Sequence, residues 1–355
     1  MRDILPEISR WVKKQKPFAL ATVISTWGSA PRGVGSAMAI GEDLQIAGSV
    51  SGGCVEGAVI EEAIQVIKGG QARVLNFGVD DETAWNVGLS CGGTIRVLVE
   101  KALPFSERPL DVEIWKSLHQ ALTKNRPVVL VTQLPDERSR SKTAHWLVFP
   151  DGSLVGDMEG MTAEILDAAH RCYTIRQSQL YPVGEREIFI QVFPARDRLL
   201  IIGAGHIAIP LIKFAQELNF ETIVIDPRGV FANPERFTVK PDQLICQWPQ
   251  EVLNNLEINE ETYAVLLTHD PKIDDEALKI LLKKPVAYIG ALGSVKTHKK
   301  RIARLQEMGF SLEEIEKIHG PAGLDIQAHS PAEIALSIIG QIVQVKNNKS
   351  KLSQP

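Results

Sequence analysis

No Cys-x-x-Cys pair occurs in the 355-residue chain; Cys54, Cys91, Cys172 and Cys246 are scattered singly. That absence excludes a disulfide-framed scaffold and a zinc site built from one local motif, and it predicts reduced thiols. No apolar run is long enough to span a bilayer, since the most apolar one, residues 199–212, is broken by His206, Gly203 and Gly205. The opening stretch MRDILPEISRWVKKQK is charged throughout and lacks the apolar core of a secretory signal, so a cytoplasmic location is expected. An excess of basic charge is missing too. The formal net charge of −4 provides no general attraction for nucleic acid or an anionic membrane, so neither is expected as a partner and any anion must be held by local geometry. No low-complexity tract and no long-period repeat is visible.

What is present is the balance of an ordinary globular protein, with 44% hydrophobic and 23% charged residues. The length favours two domains of roughly 150 to 200 residues each. In the first half, PFALATVIST, MAI and LQIAGSVS read as strands separated by glycine-rich turns, and residues 54–68 as a helix with Val55, Val59, Ala63 and Val66 on one face. ARVLNF, TIRVLVE, PVVLVT, HWLVF and REIFIQVF continue as strands, with helices between them. From residue 199 strands and helices alternate regularly: strands at 199–202, 222–226, 263–268 and 286–290 and near QLIC, and helices at 206–218, 274–283 and 295–308. That order signals an open parallel sheet with crossover helices. The fold expected is therefore α/β. Residues 1–196 form an N-terminal mixed α/β domain, 197–345 a C-terminal Rossmann-like doubly wound parallel sheet ending in a helix at 331–345, and 346–355 a polar tail.

Gly203, Gly205 and Ala208 follow the strand LLII and open a helix, in the Gly-x-Gly-x-x-Gly/Ala pattern of dinucleotide folds. The glycines permit a tight turn and close approach of a diphosphate to the helix N-terminus, and Asp226 ends the next strand, where a carboxylate can bond a ribose hydroxyl. A nucleotide or another phosphorylated cofactor is expected there, with Arg228 able to favour a different anion. His206 reads either as a helix-start residue or as a phosphate donor. Ligands of parallel sheets bind beyond the carboxyl ends of the strands, which adds LLTHDP and YIGALGS to the search. In the first, Asp270 and Pro271 suit a helix N-cap, leaving His269 as the freer candidate. In the second, Gly293 and Ser294 lead into a helix whose basic run, residues 296–301, reads as a solvated face or as anion steering.

Two loops of the first half, GSVSGGCVEG and GLSCGGTI, combine serine, paired glycines and one cysteine. Successive glycine amides can gather into an anion-binding nest, so Ser51, Gly52, Gly53, Gly92 and Gly93 are candidate ligand contacts. Cys54 at a helix start favours a reactive thiolate, and Cys91 has the same glycine setting. Both compete with the plain reading of cysteine as a small buried side chain, which is retained for Cys172 and Cys246. Arg32 sits in GSAPRGVGSAM, a loop suited to phosphate or carboxylate recognition, or is simply a surface arginine.

Taken in order, GSAPRGVGSAM, GSVSGGCVEGAV, LSCGGTIRVL, IIGAGHIA, IGALGS and HGPAGLDIQAHSPAEIALSI resemble the XdhC/CoxI family of accessory factors for molybdenum hydroxylases such as xanthine dehydrogenase. Gln327 departs from the family's GLDIGA pattern, where glycine is expected. The resemblance implies a dimeric protein that binds molybdenum cofactor (molybdopterin), protects it while a sulfurating enzyme acts, and delivers it to an apo-hydroxylase of the xanthine dehydrogenase type. It implies cofactor contacts from Cys54 and Cys91, Arg32 at the anionic end, and a phosphate or dinucleotide at the Gly203 turn; any metal ligand is left unassigned. The competing expectations are an NAD(P)-dependent oxidoreductase, which lacks an evident acid/base set, and a structural subunit of the hydroxylase.

Overall fold

The computed structural model describes residues 1–69, 71–78, 93–135 and 143–352, with side chains through residue 348. The chain divides into two compact units, Met1–Ala195 and Arg196–Pro355.

The first unit runs α1 (Leu5–Lys13), β1 (Phe18–Trp27), β2 (Ala37–Gly41), β3 (Ile46–Gly48), α2 (Glu56–Gly69), β4 (Arg73–Phe77) and β5 (Thr94–Lys101). The same succession follows again as α3 (Pro109–Thr123), β6 (Val128–Gln133), β7 (Ala144–Val148), β8 (Leu154–Val155), α4 (Ala163–Ile175), β9 (Gln179–Val183) and β10 (Arg186–Phe193). Strands pair in the orders β3-β2-β1-β5-β4 and β8-β7-β6-β10-β9, so the second sheet repeats the first strand for strand. The structure thus corrects the expectation of no repeat. Identity is lost because matched positions share only burial: AMAIG of β2 and AHWLV of β7 are each covered on both faces, with different side chains. One backbone feature survives in both copies. Gly48 closes β3 and Gly156 directly follows β8, and each has positive φ, +83° and +148°. A side chain at Gly156 would meet Trp146 Cδ1 at 2.5 Å, so the turn is restricted to glycine by space as well as by φ.

One core joins α1 and α3 to a face of each sheet, through Ile8, Trp11, Phe18, Ile114, Leu118, Leu130 and Leu147. On the opposite faces, α2 buries Val59, Ala63 and Val66, at the spacing the sequence predicts, and α4 buries Ile165, Ala169 and Cys172. Helix α1 lies in a stretch whose charges masked its apolar spacing of Ile4, Ile8 and Trp11.

The second unit is the α/β domain the alternation predicts. It comprises β11 (Arg198–Ile202), α5 (Ala208–Glu217), β12 (Glu221–Ile225), β13 (Gln243–Ile245), α6 (Pro249–Leu253), β14 (Thr262–Leu266), α7 (Pro271–Leu281), β15 (Tyr288–Ala291), α8 (Val295–Glu307), α9 (Leu312–Ile315), β16 (Ile318–His319) and α10 (Pro331–Leu352). Its six strands are all parallel in the order β13-β12-β11-β14-β15-β16. The central β11 carries Leu199, Leu200, Ile201 and Ile202, all fully buried, as a strand covered on both faces requires. Elements α6, α9 and β16 are too short to leave a periodic signal. Helix α10 runs on to Leu352 where a polar tail after Val345 was expected. Lys346 pairs with Asp197 at 2.5 Å and lies 5.0 Å above the Phe220 ring, so the first polar turn is anchored rather than free. Among the described residues no helix is long and apolar enough to cross a membrane.

Candidate functional site

The loop between β3 and α2 forms the nest that its paired glycines predict, with Gly52 at φ +78° and Gly53 at φ +122°. Its occupant is a side chain of the same loop. The Glu56 carboxylate accepts the Ser49 hydroxyl at 2.6 Å, the amides of Val50, Ser51, Gly52 and Gly53 at 3.3, 2.9, 3.1 and 2.9 Å, and the Ser51 hydroxyl. Partial burial alone would raise the Glu56 pKa; the serine hydroxyls and the Ser51 amide outweigh it and bring the carboxyl down to about 2. This corrects the expectation that the amides of Ser51, Gly52 and Gly53 stand open to an outside anion. Sequence reasoning missed Glu56, although an acidic residue in the first turn of a helix after a glycine nest is a readable signal. Ser51 Oγ also accepts the amides of Cys54 and Val55 at 3.0 Å, which fixes Cys54 at the entrance to α2. The thiol is half-buried and packs against the core under that helix.

Arg32 lies in the β1–β2 loop, with Nη2 3.5 Å from Asp3 Oδ2 and a buried Nε that has no partner. This loop touches the nest, since a Cβ on Gly52 would sit 3.7 Å from Pro31. Gly93 is pressed against the same loop: a Cβ there would lie 2.6 Å from the Ser29 carbonyl and 2.7 Å from that of Trp27. The loop that carries Arg32, the nest before Cys54, and Gly93 therefore meet at one end of the first sheet's strands, beside the exposed Trp27. Cys91 and Gly92 lie outside the described residues.

A second polar cluster of this unit has no counterpart in the sequence reading. His145 on β7 is buried, with Nε2 2.9 Å from Glu100 Oε2 on β5 and Nδ1 3.7 Å from Asp111 Oδ1 on α3. Burial alone would push the imidazole pKa down. The carboxylates of Glu100 and Asp111 prevail and hold it at about 9, so the ring is a cation at neutral pH. Beside it opens a pocket of about 220 Å³ lined by Arg108, Gln133, His145, Trp146, Asp157 and Glu159.

In the second unit, the turn after β11 is as tight as the glycine pattern predicts. Gly203 has φ +107°, and a Cβ there would meet Thr268 Cγ2 at 2.7 Å; Gly205 faces open space and His206 is exposed. Asp226, expected to meet a ribose, is instead fully buried. Its carboxylate accepts the Ala204 amide at 2.8 Å, and the Arg228 amide, Nε and Nη2 at 3.0, 2.9 and 2.8 Å. Burial alone would raise its pKa, but Arg228 and the Ala204 amide hold it below the usual carboxylate range. This corrects the expectation of an open acceptor: Arg228, two residues on, folds back and fills the carboxylate, while its guanidinium stacks 4.3 Å over Phe231.

Beyond β14 the expected cap is in place: Asp270 accepts the Lys272 amide at 3.0 Å with Pro271 opening α7. Beyond β15, Ser294, a candidate ligand contact, caps α8 by accepting the Thr297 amide at 3.2 Å. His269 is held at φ +58°, and Gly293 at +137°. The buried Asp274 takes the Thr268 hydroxyl at 2.6 Å, and burial raises its pKa. The loop after β16 closes on α8, because Gly320 lies against His298 so tightly that no Cβ fits. Farther along that loop Gln327 has φ +55°, a backbone conformation that glycine adopts more readily than glutamine. Replacing Gln327 with glycine is expected to stabilise the protein by up to about 1 kcal/mol, read as a rise in Tm; a fall would show that the side chain contributes more than the strain costs. Among the described residues, no three His, Cys, Asp or Glu side chains gather to hold a metal ion.

Comparison with known proteins places these features in a family. Residues 199–342 match the XdhC Rossmann domain, and residues 11–78 match the XdhC and CoxI family. A probable xanthine dehydrogenase subunit of Bacillus subtilis (strain 168) is 25% identical over 337 residues, 94% of this chain and 95% of that protein. The molybdenum cofactor insertion chaperone PaoD of Escherichia coli (strain K12) is 25% identical over 333 residues, 93% of this chain and 84% of that protein. The crystal structure of a xanthine dehydrogenase from Bacillus halodurans superposes with a TM-score of 0.77 at 26% identity, covering 99% of this chain and 98% of that one. With both family domains present in order, and likeness to such proteins over nearly its whole length, the chain belongs to the XdhC and CoxI family.

Proposed function

We propose that this protein is an accessory factor that binds molybdenum cofactor and delivers it to a molybdenum hydroxylase of the xanthine dehydrogenase type. The observation that carries the reading is likeness, over 93% of the chain, to a protein named a molybdenum cofactor insertion chaperone. The loops at one end of the first sheet's strands fit such a ligand in part. Arg32 keeps a buried Nε without a partner, suited to an anionic group, and Cys54, in the loop that Pro31 touches, offers a half-buried soft donor. The nest amides themselves are committed to Glu56 rather than to the cofactor, and the Ser51 hydroxyl holds the Cys54 amide in place. When bound, the cofactor supplies redox chemistry that is used in the recipient enzyme. This chain's residues bind it and orient it for transfer.

The same reading includes a homodimer, a sulfurating enzyme as a second partner, a cytoplasmic location and service to purine catabolism. An NAD(P)-dependent oxidoreductase is disfavoured, because the Ala204 amide and the Asp226 carboxylate, which a dinucleotide would use, bond each other. In a test, the protein is co-produced with a cofactor source and its bound pterin is measured by fluorescence after oxidation. Near-stoichiometric pterin is expected, falling at least about tenfold in Cys54→Ser with an unchanged circular dichroism spectrum. A wild-type protein that folds yet carries no pterin would overturn the reading, and tight NADH binding with hydride exchange would favour the oxidoreductase.

A further inference from the structure

Arg301, on α8, is only 2% exposed, and its Nε has no hydrogen-bond partner. The side chain reaches back toward the start of its helix, as helical side chains do. Nη2 donates to the Leu292 carbonyl at 2.9 Å, and Nη1 stands 3.4 Å from His298 Nδ1. The cation is thereby brought to the segment where the chain leaves β15 and enters α8.

Among the described residues no carboxylate bonds Arg301 directly or lies within ion-pair distance of it: Arg304 holds Asp275 through two bonds of 2.6 and 3.0 Å, and Asp274 takes the Thr268 hydroxyl. Burial pushes the Arg301 guanidinium down, with Asp274 and Asp275 opposing from farther off. A buried arginine without a paired anion is costly, which calls for a compensating group. The start of α8 supplies donors for one. Ser294 Oγ satisfies Thr297, which leaves the first-turn amides of Val295 and Lys296 without a partner among the described residues. Gly293, at φ +137°, keeps the approach clear of a side chain. Lys296, Lys299 and Lys300 on the same helix are exposed and raise the local concentration of anions.

We propose that the segment joining β15 to α8 seats a phosphate group, with Arg301 as its buried counter-charge and the first-turn amides of α8 as its donors. The seat lies two strands from β11, whose glycine turn gives its Ala204 amide to Asp226. The inference goes beyond the carrier reading, since it concerns the second unit alone and is tested without molybdenum cofactor.

The full-length protein is titrated with inorganic phosphate, pyrophosphate and adenosine diphosphate, followed by 31P line broadening and by the rise in Tm that a ligand specific for the folded state produces. In Arg301→Met, binding of pyrophosphate is expected to weaken at least about tenfold, as for loss of a charge-assisted partner. A second variant, Val295→Pro, keeps the fold, because proline is favoured at the first helical position and Ser294, at ψ 165°, already has the extended backbone it needs. It removes one donor amide, and binding is expected to fall about three- to tenfold. Tighter Arg301-dependent binding of adenosine diphosphate than of pyrophosphate assigns the phosphate to a nucleotide; equal binding assigns it to phosphate without a base. Both results support the seat. Absence of binding to the wild type, or unchanged affinity in Val295→Pro together with any folded Arg301→Met, overturns it.

Discussion

Replacing His145 with leucine is expected to destabilise the first unit by about 3–5 kcal/mol, the cost of breaking a buried ionic cluster from one side. The imidazolium sits between Glu100 and Asp111, all three nearly inaccessible to water, and its removal leaves two buried carboxylates without their cation. Chemical denaturation of the full chain, with transitions assigned to the two units by hydrogen exchange, reads the effect. A loss below about 1 kcal/mol would mean that the ring is dispensable. The pH dependence has a defined sign. The folded-state pKa of about 9 lies above the ordinary His value of 6.5, so the contribution of His145 is complete below pH 6.5 and disappears as pH rises through 9. Asp111 acts in the opposite direction: its pKa is lowered despite the opposing effect of burial, with the nearby His145 imidazolium and a hydrogen bond from the Ser106 hydroxyl holding it down, so its contribution is lost on acidification. The wild type is therefore expected to lose on the order of 3 kcal/mol between neutral pH and pH 9–10, and the leucine variant to lose much less over that interval. Parallel profiles would show that the cluster does not titrate as a unit.

Glu56→Ala is the second large effect. The carboxylate gathers two serine hydroxyls and four backbone amides, and its removal leaves those of the buried Ser51 without an acceptor while Gly52 and Gly53 turn to water. A cost of about 2–3 kcal/mol follows from the unsatisfied buried donors, together with faster hydrogen exchange of the amides at 50–53. Because the pKa is depressed from 4.5 to about 2, the contribution of Glu56 is complete above pH 4.5 and lost as pH falls through 2. Glu56→Gln tests charge against shape. An isosteric amide brings an N–H against groups that are themselves donors, so the glutamine variant is expected to recover little of the lost stability. Full recovery would show that only the volume of the side chain matters.

Much of this protein was determined by its sequence alone, wherever the controlling interaction is local. The parallel sheet was legible because its strands are continuous apolar runs, and the turn after β11 because only glycine permits φ +107° against Thr268. Asp270 and Pro271 specify a helix start within a few residues, and the glycines at 52 and 53 specify a nest. What fills that nest, however, was settled only when α2 set Glu56 over its amides. Tertiary packing likewise decided that Asp226 turns to Arg228 and Ala204, that His145 meets carboxylates from β5 and α3, and that Arg301 is buried within an otherwise exposed basic run. The repeat in the first unit was hidden for a related reason: a sheet order can be preserved by burial pattern and turn geometry while nearly every side chain changes. Backbone conformation and apolar periodicity are properties of neighbouring residues, whereas the partner of a charge is whichever group the folded chain brings within reach, and that follows from packing across many residues.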